Sequence, residues 1–176
     1  MPNTRLTSLT CAALLATGLA TAAAADVAVR FIEGAPKDRF EIANTAGCSL
    51  QALQVEIDLA DTAGKLIFDT TGSGAGVEVF QPFEVREGPL ELMSGTVEDG
   101  DNKLVLSLPA LKPGQKASFT IDVDDTLVQS DLGQIRVSGG EMSGARVAIR
   151  VADAAPVEAV FADDNRTSVP MGLCDA

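Results

Sequence analysis

Histidine, tryptophan and tyrosine are absent from this chain of 176 residues. Without histidine the chain cannot build a Ser-His-Asp triad, a Cys-His pair or an imidazole metal site. Thirteen lysines and arginines stand against 25 aspartates and glutamates, a formal net charge of −12, so the basic clusters that bind nucleic-acid phosphates are missing. We therefore expect neither histidine-based catalysis nor nucleic-acid binding, and nothing in the residues marks an enzyme.

The first 25 residues have the pattern of a secretory signal peptide. Residues 1–5 carry one positive charge, residues 6–20 are apolar, and a run of small residues ends at Ala25. The pattern predicts a signal peptide over 1–25 and a single domain over 26–176, in a secreted or periplasmic protein of a Gram-negative bacterium. An uncleaved anchor is the alternative, but the apolar stretch is only marginally long enough to span a bilayer. No second long apolar run follows, so no membrane span is expected after cleavage.

Cleavage would also change the charge and the cysteine count. It removes one arginine and no acidic residue, so the net charge becomes −13. It removes Cys11 and leaves Cys48 and Cys174 as an even pair in an oxidising compartment. We therefore predict one disulfide between Cys48 and Cys174, joining the C-terminal tail to the early part of the domain.

Apolar and polar residues alternate with period two along most of the remaining chain. The clearest example is Leu53, Val55, Ile57 and Leu59, which predicts a half-buried strand. Further predicted strands lie at 27–32, 40–42, 65–68, 77–80, 104–108, 119–123, 135–137, 147–151 and 159–161. Nine or ten short strands separated by Gly/Pro turns predict an all-β fold, an antiparallel, immunoglobulin-like β-sandwich. An outer-membrane barrel would need aromatic girdles, which this chain lacks. A pilin subunit would need a terminal aromatic strand, which is also missing.

One acidic run suggests a metal site. Ile121 and Val123 are expected to point inward, so Asp122 and Asp124 would share the solvent face, with Asp125 starting the next loop. These three carboxylates could supply several of the six to eight oxygens that calcium takes, so calcium is the cofactor that the sequence suggests. The alternative is a charged, exposed strand that discourages edge pairing. Other aspartates, among them 99 and 101, are interpreted as solvated turns, and the glycine-rich segment 72–76 as a flexible loop.

Several stretches resemble one family of secreted proteins. Residues 31–40, 66–70 and 76–82, followed by 111–115 and 121–126, resemble the aggregation factor core family. Its members are small secreted bacterial proteins similar to the ring-forming core (Wreath) domain of sponge aggregation factors, which mediate cell adhesion. The resemblance implies an extracellular, non-enzymatic sandwich that self-associates or binds a surface protein or glycan in a cell-surface matrix.

Two surfaces are candidates for such association. Val77, Val79 and Phe80 could form an edge strand whose unpaired backbone groups recruit another chain. Arg146 and Arg150 lie on one face of a predicted strand, separated by two alternations. They could instead contact an acidic neighbour across an interface. Because copies of so acidic a chain repel one another, any oligomer should be sensitive to salt or calcium.

The function predicted from the sequence is thus a structural or adhesion module. A monomeric periplasmic domain that binds calcium or another ligand is the first alternative, and a degenerate hydrolase is the second.

Overall fold

A computed structural model describes residues 24–34, 37–77, 80–130 and 132–173. The strands are β1 (Ala24–Ile32), β2 (Asp38–Asn44), β3 (Leu50–Asp58), β4 (Ile67–Asp69), β5 (Glu84–Glu87), β6 (Glu91–Leu92), β7 (Lys103–Leu111), β8 (Lys116–Asp124), β9 (Arg146–Val151), β10 (Val157–Val160) and β11 (Arg166–Leu173), and one short helix, α1, spans Gly139–Met142. The first sheet has the order β11-β1-β2-β8-β4, with β5 also paired to β8, and the second has the order β10-β9-β3-β7-β6. Every strand pair is antiparallel. The predicted all-β antiparallel sandwich is confirmed.

The core forms where the inward faces of the two sheets meet. In β3 the side chains of Leu53, Val55 and Ile57 are buried, while the polar residues between them are half-exposed, as the period-two pattern predicted. In the first sheet the rings of Phe31, Phe40 and Phe119 form a row with 5.2 Å between neighbouring ring centroids. This row anchors β1, β2 and β8 to one another.

Strand β8 is buried on both of its faces. Its apolar residues, such as Phe119 and Ile121, point into the core, and its polar residues are covered as well. Asp122 and Asp124, which the sequence predicted to face solvent, are only 3% and 1% exposed. The reason is that β4 pairs with β8 at Asp122 and Asp124, and that the Val77 N–H, beyond the glycine-rich segment, donates to the Asp124 carboxylate.

One predicted strand is absent from the described residues, and half of a second, 77–80, lies outside them. Residues 133–136 form a turn, in which the N–H of Arg136 donates to the carbonyl of Gly133, and Val137 lies outside any strand. Val77 and Phe80 also lie outside any strand, because the Val77 N–H donates to a carboxylate instead of a neighbouring strand. Conversely, β5, β6, β11 and α1 were not predicted. Helix α1 begins after Ser138, since Ser138 and Glu141 form a capping box.

The chain ends bear on the predicted export and disulfide. Of the predicted signal peptide, only Ala24 and Ala25 are described, and they extend β1 along Leu173 and Gly172 of β11. Cys48 is disulfide-bonded; Cys11 and Cys174 lie outside the described residues, so the pairing of Cys48 with Cys174 stays a prediction. None of the helices in the described parts of the chain has the length and apolar character needed to cross a membrane.

Candidate functional site: a buried acidic cluster

Aspartates gather where β4 pairs with β8 at the edge of the first sheet. Asp69 lies directly opposite Asp122 in this pair, and Ile67 lies opposite Asp124. Because Phe68 is buried in the core, the alternation of the strands places Asp69, Asp122 and Asp124 together on the other face. Asp99 joins them from the loop between β6 and β7, and Asp125 follows β8. We call Asp69, Asp99, Asp122, Asp124 and Asp125 the acidic cluster.

The segment 70–77 is fastened to the acidic cluster by its backbone. The Ala75 N–H donates to Asp99 Oδ2 and the Val77 N–H to Asp124 Oδ2, both at 2.7 Å. Between these two contacts, Gly76 lies against the Asp69 carboxylate, so closely that a Cβ at position 76 would overlap its carboxylate atoms. The absence of a side chain at Gly76 is therefore what allows the segment to lie over the cluster.

Four carboxylate oxygens of the acidic cluster lack a hydrogen-bond donor. Asp69 Oδ2, Asp122 Oδ2, Asp124 Oδ1 and Asp125 Oδ2 are buried and receive no hydrogen bond from the described residues. The four side chains are at most 3% exposed. A buried carboxylate without a donor or a counter-charge is strongly unfavourable. The cluster therefore requires either bound protons or a bound cation.

The proton affinities of these aspartates reflect their crowding. Burial raises the pKa of Asp69 to about 7, and a hydrogen bond to Asp99 and the charge of Asp124 act in the same direction. Burial also raises the pKa of Asp122 to about 7, assisted by the charges of Asp124 and Asp69, and burial raises the pKa of Asp124. The pKa of Asp99 is shifted in the opposite direction, because the hydrogen bond from the Ala75 N–H lowers it. Without a cation, the cluster holds protons close to neutral pH.

A cleft connects the acidic cluster with solvent. It has a volume of about 240 Å³ and is lined by Ala75, Gly76, Val77, Asp125, Thr126 and Gln134. The Leu127 N–H donates to Asp125 Oδ1 at 2.9 Å, which forms an Asx turn. Its second oxygen is one of the four without a donor. A cation entering by this cleft would meet Asp125 first.

The donor chemistry suits a hard cation, although the shell is not preformed. Within the described ranges, no three Asp, Glu or Cys side chains are already arranged as a metal-binding group. Instead Asp69 lies within reach of Asp99 on one side and of Asp124 on the other, so that the carboxylates form a row. Calcium accepts six to eight oxygens in a flexible geometry. The four oxygens without donors are of the type that calcium prefers, but they are fewer than a complete shell.

The sequence analysis singled out three of the five residues of the acidic cluster. Asp122, Asp124 and Asp125 do lie in one cluster, but they are buried where exposure was expected. Asp69 was not singled out, and Asp99 was interpreted as a solvated turn. A signal was present for Asp69, because it ends a short apolar strand directly before the glycine-rich segment.

The predicted association surfaces are less well supported. Val79 lies outside the described residues, and Val77 and Phe80 form no edge strand there, although the Phe80 side chain is 41% exposed. Arg146 and Arg150 share the outer face of β9, as predicted. However, Arg146 already pairs with Asp61, with 2.6 Å between Nη2 and Oδ2.

No family model matches the chain, and no curated protein matches it. The resemblance to the aggregation factor core family thus stays a prediction from the sequence, and the geometry of the acidic cluster is the main guide to function.

Proposed function

We propose that this protein is an exported, non-enzymatic β-sandwich domain that binds calcium in the acidic cluster. The observation that supports the proposal is the set of four buried carboxylate oxygens without hydrogen-bond donors. A cation shared by these oxygens replaces the missing donors and offsets the repulsion among the aspartates. The ligands would come from two neighbouring strands and two loops, so that binding ties β4, β8 and the segment 70–77 together.

Calcium fits these residues better than the other common cations. The donors are carboxylates, with no histidine in the chain and no cysteine in the cluster, which disfavours zinc and copper. Magnesium demands near-ideal octahedral geometry and keeps several waters, whereas the cluster is buried and irregular. Calcium tolerates irregular shells of carboxylates, and the net charge of the chain favours the approach of any cation.

The proposal is tested by titrating calcium into the EDTA-treated, dialysed protein. Isothermal titration calorimetry should show saturable binding, with magnesium binding more weakly. At a hundredfold excess over its dissociation constant, calcium should stabilise the fold by about 2.7 kcal/mol. For a domain of this size the melting temperature should rise by about 5–10 °C. The absence of both binding heat and a melting shift at millimolar calcium would contradict the proposal.

A matched pair of variants separates binding from folding. Asp124→Asn should abolish the calcium response, yet in EDTA it should be at least as stable as the unchanged protein, because one repelling charge is gone and the amide oxygen can still accept from Val77. Asp163→Asn, in an exposed turn, should leave both properties unchanged. Equal calcium responses in the two variants would count against Asp124 as a ligand.

Gly76 provides a second, independent test. In Gly76→Ala the new methyl group overlaps the Asp69 carboxylate, so the segment 70–77 must move away from the acidic cluster. We expect calcium affinity to fall at least tenfold, measured by the same calorimetry. Gly140→Ala is the control, because a Cβ at that position meets only the Ser138 hydroxyl at 3.7 Å. Unchanged affinity in Gly76→Ala would show that this segment does not close the site.

Adhesion through self-association, which the sequence resemblance implies, has weaker support. One proposed surface forms no strand in the described residues, and an arginine of the other is paired within the chain. Light scattering in the calcium and EDTA buffers distinguishes the two functions. A calcium-dependent multimer would favour the adhesion module, and a monomer in both buffers would favour the calcium-binding accessory domain.

A further inference from the structure

A second pocket lies on the outer face of the first sheet, beside the acidic cluster. It has a volume of about 290 Å³ and is lined by Ile32, Glu33, Gly34, Lys37, Arg39, Arg86 and Thr120. Thr120 of β8 is at its floor, with Arg39 of β2 directly opposite on one side and Glu84 of β5 on the other. Thr120 precedes Asp122 by one alternation of the strand, so the pocket and the acidic cluster are neighbours.

Positive charge is concentrated around this pocket. Six of the 13 lysines and arginines of this acidic chain lie on or beside the outer face of the first sheet: Arg30, Lys37, Arg39, Arg86, Lys116 and Arg136. Three of them, Lys37, Arg39 and Arg86, line the pocket itself. The one acidic residue of the lining, Glu33, is neutralised by two hydrogen bonds from Arg136, at 2.7 and 3.0 Å. The pocket is thus positive within a negative molecule.

The pocket cations are available to a ligand. Within the described residues, no ion pair or side-chain hydrogen bond engages Arg39. Lys37 and Arg86 both contact Glu84, at 3.0 and 3.4 Å, through half-exposed side chains. Because such exposed pairs stabilise a fold by at most about 1 kcal/mol, the two cations can turn toward a ligand at little cost.

The pocket floor carries a polar group that the fold does not use. Thr120 is 7% exposed, and its Oγ1 is buried with no hydrogen-bond partner among the described residues. Buried hydroxyls are rarely left unpaired. A valine would fill the same volume without that penalty, so the hydroxyl points to a ligand that accepts its hydrogen bond.

We infer that this pocket binds a small molecule through a phosphate or sulfate group. The Arg39 and Arg86 guanidinium groups present forked donors that match a tetrahedral oxyanion. Lys37 adds a third positive charge. The Thr120 hydroxyl, which is covered in the unliganded fold, would donate from below once the ligand displaces the side chains over it. The pocket is larger than a bare oxyanion and is close to the lower limit for small organic ligands, so it has room for the group that carries the anion.

The test uses inorganic phosphate and inorganic sulfate as separate probes. Each sodium salt is titrated into the ¹⁵N-labelled protein in EDTA, against sodium chloride of equal ionic strength. We expect saturable shifts of the amide signals of Arg39, Arg86 and Thr120, and the tighter of the two probes identifies the group. Shifts that do not saturate, or that sodium chloride reproduces, would overturn the inference. EDTA keeps the result independent of the proposed calcium site.

Three variants locate the site. Arg39→Gln should weaken binding at least tenfold. Thr120→Val should weaken it severalfold without lowering the melting temperature, because the hydroxyl makes no hydrogen bond within the described fold. Arg30→Gln removes a cation from the same sheet face but outside the pocket lining, and should bind as the unchanged protein does. Equal losses in Arg39→Gln and Arg30→Gln would mean general charge attraction rather than a site, and would also overturn the inference.

Discussion

Replacing Phe119 by alanine should lower the free energy of unfolding by about 3–5 kcal/mol. Its ring is fully buried. It stacks on Phe40 at 5.2 Å between ring centroids, with 13° between the planes, and contacts Phe83 at 5.0 Å. The alanine variant loses these contacts together with the buried area of the ring, and leaves a cavity between β8 and its neighbours. Urea denaturation at fixed pH and fixed calcium measures the change.

Two further substitutions calibrate this result. Phe119→Leu keeps most of the buried volume and should cost much less than Phe119→Ala. Val160→Ala removes a side chain that is 56% exposed, so its effect should stay within about 0.5 kcal/mol. A loss below about 1 kcal/mol in Phe119→Ala would contradict the packing of β8 described above.

Asp38 should make the calcium-free protein less stable as the pH rises. It is buried in β2, where its carboxylate accepts the N–H groups of Gly34 and Val123 at 3.1 and 3.0 Å. Burial nevertheless raises its pKa to about 8, and the charges of Asp122 and Glu33 add to the effect. In the unfolded chain an aspartate has a pKa of about 3.9. Between these values the folded state holds a proton that the unfolded state has lost.

The sign of the pH effect follows from this difference. The contribution of the Asp38 proton to the free energy of unfolding is fully present below about pH 4. It is lost as the pH rises toward 8, at about 1.4 kcal/mol per pH unit. The free energy of unfolding can be measured by urea denaturation at several values from pH 5 to 7 in calcium-free buffer. Its decrease with pH should be less steep in Asp38→Asn, by about 1.4 kcal/mol per pH unit. The acidic cluster acts in the same direction in both proteins, so the difference between the slopes isolates Asp38. Identical slopes would show that Asp38 is already ionised in the folded state.

Local pattern was enough to predict the architecture. Alternation along β3, β7, β8 and β9 identified the strands whose inward faces form the core, because a half-buried strand requires that period. Strands β5, β6 and β11 were missed because they lie at sheet edges, where little burial is imposed on their residues. Residues 135–137 have the apolar alternation of a strand, but Arg136 is drawn into a turn beside Glu33.

The acidic cluster depends on contacts that the sequence order does not reveal. Alternation placed Asp122 and Asp124 on one face correctly. Their burial could not be predicted, because it results from the pairing of β8 with β4 and from the Val77 N–H on Asp124, and neither contact can be read from the local pattern. Asp99 is 23 residues before Asp122, and nothing local indicates that the two approach each other. Asp38 illustrates the opposite case, since its spacing from Phe40 and Ile42 already places it on the buried side of β2.

The two covered faces of β8 respond to different properties of the surroundings. The apolar face is stabilised by the hydrophobic effect, which acts in any aqueous compartment. The acidic face, with calcium as its proposed partner, is stabilised according to the free calcium concentration. Where free calcium is scarce, as inside a cell, the domain would be easier to unfold, which would suit the export that we propose for it. In a calcium-rich medium, calcium at the proposed site would stabilise the same strand, so folding would be favoured after the export that we propose.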